Sequence, residues 1–552
     1  MCGIWSYLRY DGNIITSDEI QKYKTQFDSS KCRGPDATIE HHSDTFNMVF
    51  HRLAIHDLTV DGNQPFTLDC EDGTRIYMMC NGEIYNYVEL MDLYNFPVKG
   101  HSDCEILIHM LPFFDYNIAD IMYQIKGEYA FVAYIQKPDG KTFVCISRDI
   151  FGVRPLYYGI CKDGIIVSSL LSGIIGLNDV NDNQIKGHHF PPGHYLFEEL
   201  DFNNQLTEDA FVKKCHYAID YMKILPYLSL EDIKCIELKK LYKVVTDKFI
   251  EAVIIRLGSE RDVGFLLSGG LDSSLVVAVA TKICNISRPK TYCIGFNENA
   301  TDILYATKVA HYLDTTHHPV IIEPRDALDI IPTVIKCLET YDVTTIRAST
   351  PQYLLAKFIS ENSSIKVILN GDGSDEVSMG YIYNYFAPND KDAHADSLRL
   401  LNEIHCYDGL RVDRTLAAHG LEARVPFLDI DYVRTYMKIP IELRRPGPDN
   451  MEKQFLRDAF HVLYPDILPK EILYRRKEAF SDGVSTIKES WFSLIQEKVK
   501  EMGCTEKDWY KNIFDTHFPN QSHICPHYWM PQWTDTDDPS ARTLKLYTDL
   551  NS

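Results

Sequence analysis

Two separated stretches hold residues that could do chemistry. In MCGIWSYLRY, a cysteine directly follows the initiator methionine. Cys2 reads as an ordinary small apolar residue entering a strand, or as a nucleophile. Loss of the methionine would set the thiol beside its own α-amine. The two groups titrate at about 8.5 and about 7.7–8.0 in model peptides, so the amine could accept the thiol proton. Further along, GFLLSGGLDSS (264–274) ends an apolar run in two glycines flanked by serines and an acid. Ser268, Gly269, Gly270 and Ser273 could present N–H and O–H donors to a phosphate at a helix start, and Asp272 could hold Mg²⁺. No lysine follows the glycines, so this is not the kinase-type phosphate loop. A plain strand-to-helix turn is the competing reading.

A second acidic tip, VILNGDGSDEVSMGY (367–381), brings Asp372, Asp375 and Glu376 to the end of another apolar run. Two such loops at the carboxyl ends of parallel strands suit magnesium bridging phosphates. The basic complement would come from Arg347, Arg424, Lys453, Arg476 and Lys477, each of which also reads as an ordinary surface charge.

The elements that must carry these loops change character along the chain. Up to about residue 200, short alternating runs such as RIYMMCNGEIYNY and YAFVAYI are broken by Gly, Asn and Asp turns, which predicts an antiparallel, layered β-rich domain. The linker is expected within 200–230. A helix then carries Leu241, Val244, Val245, Phe249, Ala252 and Val253 on one stripe. Beyond it, strands VGFLL, TYCIGF, HHPVII and IKVILN alternate with helices, as in a parallel sheet covered by helices.

With 552 residues, two domains are the natural expectation. A formal charge of −22 argues against a general nucleic-acid binder but not against ATP. No run approaches the ~18 apolar residues of a membrane span, and no signal-peptide core precedes Arg9, so a cytoplasmic location is expected. Fifteen cysteines without a C-x-x-C pair read as reduced thiols, and the His41-His42, His188-His189 and His317-His318 doublets as structural, because adjacent side chains point apart.

These residues carry a family resemblance. The SGGLDSS loop together with ETYDVTTIRASTPQYLLA, GDGSDEV, HGLEARVPFLD and KEAFSDGV closely resembles glutamine-dependent asparagine synthetase, and the likeness runs from Met1 to DPSARTLKLY. It implies an α+β N-terminal αββα sandwich of the N-terminal-nucleophile glutaminase type at 2–200, and at 225–545 an α/β C-terminal domain with a parallel sheet and pyrophosphate loop. RGPD (33–36), HRLAI (51–55), NGEIYN (81–86), SDCE (102–105) and SRDIFGVRPLYY (147–158) carry the first half. The resemblance makes Cys2 the nucleophile and gives the oxyanion the Asn81 amide and the Gly82 N–H. Glutamine would be held by Arg52, Leu53, Ala54, Ile55, Asn81, Gly82, Glu83 and Asp103, with Arg52 on its carboxylate and Glu83 and Asp103 on its ammonium. ATP would meet Leu267, Ile294, Asn370, Gly371 and the Ser268–Ser273 loop. Asp272 and Asp375 would hold Mg²⁺, Lys453 and Arg347 would meet phosphoryl charge, and Asp372 would take part in adenylation. The product would be asparagine, formed from aspartate through β-aspartyl-AMP, with ammonia passing along an internal channel. A homodimer is common for the family.

Three positions depart from the family's usual pattern: Cys32 before RGPD, Ser169 after PLYY, and Asp372 in NGDGSDE. Other readings are a synthetase adenylating a different carboxylate, such as a β-lactam-forming one, an amidotransferase with another acceptor, and a non-catalytic regulatory relative. The retained Cys2, Asn81, Asp272, Asp375 and Lys453 count against the last.

Overall fold

A computed structural model describes residues 1–10, 13–178, 184–200, 208–217, 225, 227–232, 237–477, 483–485 and 490–539. Most of KEAFSDGV and DPSARTLKLY lies outside them. By its contacts the chain forms two units: residues 1–220 with 417–422 and 514–524, and 221–416 with 423–513 and 525–552. The spans 2–200 and 225–545 did not anticipate the two short later segments that cluster with the first unit. No helix among the described residues is long and apolar enough to cross a membrane.

In the first unit the strands are β1 (Gly3–Arg9), β2 (Ala37–His42), β3 (Phe46–Arg52), β4 (Phe66–Asp69), β5 (Arg75–Ile84), β6 (Gly127–Gln136), β7 (Thr142–Arg148), β8 (Tyr157–Ile160), β9 (Gly164–Ser168), β10 (His188–His189), β11 (His194–Glu199) and β12 (His216–Tyr217). They build two six-stranded sheets, ordered β10-β8-β9-β1-β3-β2 and β12-β11-β7-β6-β5-β4. Their alternation decides the layering, because successive side chains leave a strand on opposite faces. Tyr77, Met79, Ala130, Val132 and Tyr134 share one core with Ile4, Leu8, Phe46, Met48 and Phe50 of the other sheet. Their neighbours Ile76, Met78, Cys80, Phe131, Ala133 and Ile135 instead pack on the helices Ile106–Phe113 and Ile118–Gln124. Trp5, on the far face of the first sheet, meets Tyr23 and Phe27 of the short helical segments before β2. The result is the expected αββα sandwich.

A third sheet is formed by β13 (Val263–Leu266), β14 (Lys290–Gly295), β15 (Thr316–Ile321), β16 (Val367–Leu369) and β17 (Glu422–Arg424), in the order β15-β14-β13-β16-β17, and all of it but Glu422 belongs to the second unit. β13 pairs parallel with both β14 and β16, and β14 pairs parallel with β15. The chain proceeds to one side from β13 through β14 to β15, then returns to the other side with β16. That reversal opens a crevice at the carboxyl ends of β13 and β16, the usual ligand position in such sheets. Along the helix Leu238–Ile255, Val245, Phe249, Ala252 and Val253 are buried as expected, whereas Val244 faces solvent and Tyr242 and Thr246 take the buried stripe.

Candidate active sites

In the first unit the register brings the cysteine to its partners. Gly3 pairs with His51, so Cys2 lies beside the end of β3, where the Leu53 N–H approaches its Sγ at 3.4 Å. Asn81 continues the Tyr77 and Met79 side of β5, towards the inter-sheet space where Cys2 packs. The backbone nitrogen of Cys2 donates to Asn81 Oδ1 at 2.8 Å, and the Arg33 guanidinium donates to the Cys2 carbonyl at 2.9 Å. Asn81 Nδ2 is buried and has no hydrogen-bond partner among the described residues. With Met1 in place, burial pushes the Cys2 thiol up to about 11, against the lowering effect of the Met1 ammonium and of Leu53.

Cys2, Arg52, Leu53, Ile55, Gly82, Glu83 and Asp103 line one cavity. Arg52 is oriented by the following loop, donating to the Thr59 and Asp57 carbonyls and, at 2.8 Å, to Asn63 Oδ1. Asp103 accepts from the Ile84 N–H at 2.7 Å, and its burial raises its pKa. Glu83 lies 3.2 Å from His56 Nε2. Only glycine fits at 82, since a Cβ would stand 2.5 Å from the Glu128 carbonyl oxygen. Neither Asn81 nor Ala54 lines the cavity: Asn81 lies behind Cys2, whose backbone nitrogen it holds, and the Ala54 N–H is spent on Asp36 of RGPD at 2.9 Å. Sequence reading missed His56, Gln64 and Glu422, which also line it. Of the departures, Cys32 is exposed, while the buried Ser169 hydroxyl accepts from the Ile4 N–H at 2.9 Å and so helps fix the nucleophile's own strand.

In the second unit the two glycine loops lie against each other. Gly269 has φ +73°, and a Cβ there would stand 2.4 Å from the Ala306 nitrogen. A Cβ on Gly371 would stand 2.7 Å from the Ser273 nitrogen, so the NGDG turn presses on the SGGLDSS turn. Within the latter, Ser268 and Ser273 hydroxyls stand 3.1 Å apart. Leu267, Ser268, Gly270, Asp272, Ser273, Ile294, Asn370, Gly371, Asp372, Asp375 and Lys453 line a common cavity.

Lys453 ties this cavity together. Its backbone has φ +59°, an uncommon conformation for a non-glycine residue, and its side chain is buried. Nζ lies 2.7 Å from Asp272 and 2.7 Å from Asp375 and donates to Ser374 Oγ at 3.1 Å. Lys477 adds a second contact to Asp375 at 2.7 Å. Burial acts to raise the Asp375 carboxyl, but the two lysines outweigh it and hold it well below the usual carboxylate range. Asp372 is engaged by Arg411, which also contacts Asp408 at 2.6 Å.

Three candidates are placed elsewhere. Arg347 does not line the cavity: its guanidinium is paired with Glu506 at 2.5 Å and Asp538 at 2.8 Å, in a buried double fork. Gly269 packs on Tyr305 and Ala306 outside the lining. Arg424 is buried and donates to the carbonyls of Arg256 and Gly258. In exchange the structure supplies Arg411, Arg457 and Arg475, with the anticipated Arg476 and Lys477.

Residues 1–192 match the glutamine amidotransferase domain family, and residues 244–394 and 385–536 match the asparagine synthase family. The chain is 38% identical over 575 residues to a probable asparagine synthetase [glutamine-hydrolyzing] of Acanthamoeba polyphaga mimivirus, covering 99% of this chain and 100% of that protein. It is 38% identical over 584 residues to the asparagine synthetase [glutamine-hydrolyzing] of Gallus gallus and 37% over 574 residues to that of Cricetulus griseus, covering 99% of both chains in each case.

Proposed function

The chain belongs to the glutamine-hydrolysing asparagine synthetase family, and on that premise we propose how its two cavities divide the reaction. The chain makes asparagine, glutamate, AMP and pyrophosphate from aspartate, glutamine and ATP. At residues 2–200 the Cys2 thiolate attacks the glutamine carboxamide carbon. The α-amine exposed by loss of Met1 takes the thiol proton and passes it to the departing nitrogen. The tetrahedral oxyanion is met by Asn81 Nδ2 and the Gly82 N–H, ammonia leaves, and water cleaves the γ-glutamyl thioester to glutamate. Arg52 holds the substrate carboxylate, and Glu83 and Asp103 hold its ammonium. The observation that carries this reading is the buried Asn81 amide: one end fixes Cys2, and the other donates to nothing in the chain that is described.

At residues 225–545 the β-carboxylate of aspartate attacks the α-phosphorus of ATP and expels pyrophosphate, and ammonia then displaces AMP. The Ser268–Ser273 turn and the Lys453 and Lys477 ammonium groups face the polyphosphate. Asp272 and Asp375 suit Mg²⁺ delivered with the nucleotide, since magnesium binds through one or two carboxylates plus phosphates. When bound, Mg²⁺ would neutralise phosphate charge. Arg347, paired to two carboxylates, is assigned to holding the C-terminal segment rather than to the phosphoryl group. The fourteen free cysteines among the described residues fit a reducing cytoplasm, and a homodimer is the assembly to test.

The test uses Mg-ATP, aspartate and amide-¹⁵N glutamine. Labelled asparagine with equal AMP is expected, lost in Cys2→Ala and restored by added ammonia. Glutamate without AMP would overturn the second half of the reading.

A further inference from the structure

The helix Val343–Asn362 turns Thr345, Ala348, Gln352 and Leu355 towards the cavity of the second unit, at the spacing of one helical face. Gln352 is the unexpected member. It is 3% exposed, and its Nε2 is buried with no hydrogen-bond partner among the described residues. Tyr292, Cys293 and Ile294 of β14, a strand this helix packs against, line the same cavity. A buried amide with nothing to bind costs free energy comparable to a lost hydrogen bond, so a ligand that offers it an acceptor recovers that cost. None of the charged side chains that line the cavity lies on this helix or on β14, and Lys453 bridges Asp272 and Asp375 of the two glycine loops. The part of a nucleotide left for a neutral wall is its base, which is apolar on its faces and carries donors and acceptors only on its edges.

We propose that Gln352 is a specificity-determining residue that reads the 6-amino edge of adenine. Its Oε1 accepts from the exocyclic amine while Nε2 donates to the adjacent ring nitrogen, the pairing that glutamine geometry makes with adenine. This rests on the reading of the cavity as the ATP site.

The experiment compares ATP with purine riboside 5′-triphosphate, which lacks only the 6-amino group. AMP or purine riboside monophosphate release is followed with aspartate and ammonium, in the wild type, Gln352→Leu and Gln352→Met. The wild type should favour ATP in kcat/KM, and both variants should lose about tenfold of that preference, the worth of one hydrogen bond to a buried group, through the KM for ATP with kcat kept. Because the readout is a ratio within one preparation, a partly misfolded variant does not disturb it. A preference unchanged within twofold in both variants, with ATP still consumed, overturns the assignment of Gln352 and leaves the ATP site standing. Failure of the wild type to use either nucleotide overturns the ATP reading, and the assignment with it.

Discussion

Asn81 and Cys2 are joined through a 2.8 Å hydrogen bond that runs from the backbone nitrogen of the cysteine to the amide oxygen of the asparagine. Because that bond uses Oδ1, it also decides which way Nδ2 points. The same side chain therefore positions the nucleophile and aims a donor.

Replacing Asn81 with Ala removes both effects. Glutaminase kcat should fall by about 10²–10³-fold, the usual effect of losing one oxyanion donor. Asparagine formation from added ammonia should continue at the wild-type rate, since Asn81 belongs to the first unit. Parallel assays with glutamine and with ammonium chloride check this. Equal loss in both would show that the substitution damages the fold rather than the oxyanion site.

Lys453 is the corresponding pivot of the second cavity. In Lys453→Met, Asp272 and Asp375 would face each other without the ammonium between them. Breaking a buried ion pair on one side costs about 3–5 kcal/mol, and here two carboxylates lose the same partner. AMP formation should fall at least about a hundredfold with loss of that charge at the phosphates, while glutamine hydrolysis persists. Denaturant unfolding and an AMP assay on the same preparation separate the two effects.

Two glycines with positive φ distinguish dihedral cost from collision. Gly269 (φ +73°) has backbone atoms of Tyr305 and Ala306 2.4 Å from the place of a Cβ, whereas Gly503 (φ +69°) has nothing within 4 Å. Gly503→Ala should cost only the left-handed backbone penalty, roughly 1 kcal/mol. Gly269→Ala must also shift the pyrophosphate turn, so it should lower the midpoint of unfolding further and raise the KM for ATP. Similar unfolding curves for the two variants would disprove the close packing of the turn.

Much of this was legible from the chain because the reacting groups sit on contiguous runs. Asn81 and Gly82 lie on a strand whose period-two pattern fixes which face each side chain takes, Cys2 immediately precedes another, and the serine and glycine turns follow strands directly. What could not be read depends on partners far away in sequence. Arg347 sits in a motif that suggests phosphate contact, and its pairing with Glu506 and Asp538, 159 and 191 residues on, is invisible in that motif. Gln352 reads as one polar residue on a largely buried helix until the fold brings that helix and β14 to the lining of one cavity. Glu422 reaches the glutaminase cavity only because residues 417–422 cluster with the first unit.

A buried histidine gives the second unit a pH dependence with a definite sign. His394 Nδ1 faces the Arg444 guanidinium at 3.1 Å, and Nε2 lies 3.2 Å from the Leu225 carbonyl. Arginine can only donate, so Nδ1 must accept and Nε2 must carry the single proton. A second proton would place N–H against N–H. Burial first, then Arg444, accordingly lowers the His394 pKa to about 4. In the unfolded chain it returns to about 6.5. Between these values the unfolded state binds the extra proton, so stability is full above about pH 6.5 and falls as the pH drops towards 4. At pH 5 the loss from this residue is about 2 kcal/mol. Thermal or urea unfolding at pH 7 and pH 5 should show the decline, and His394→Asn, whose amide does not titrate, should flatten it by that amount. A slope identical in the variant would place the acid sensitivity elsewhere.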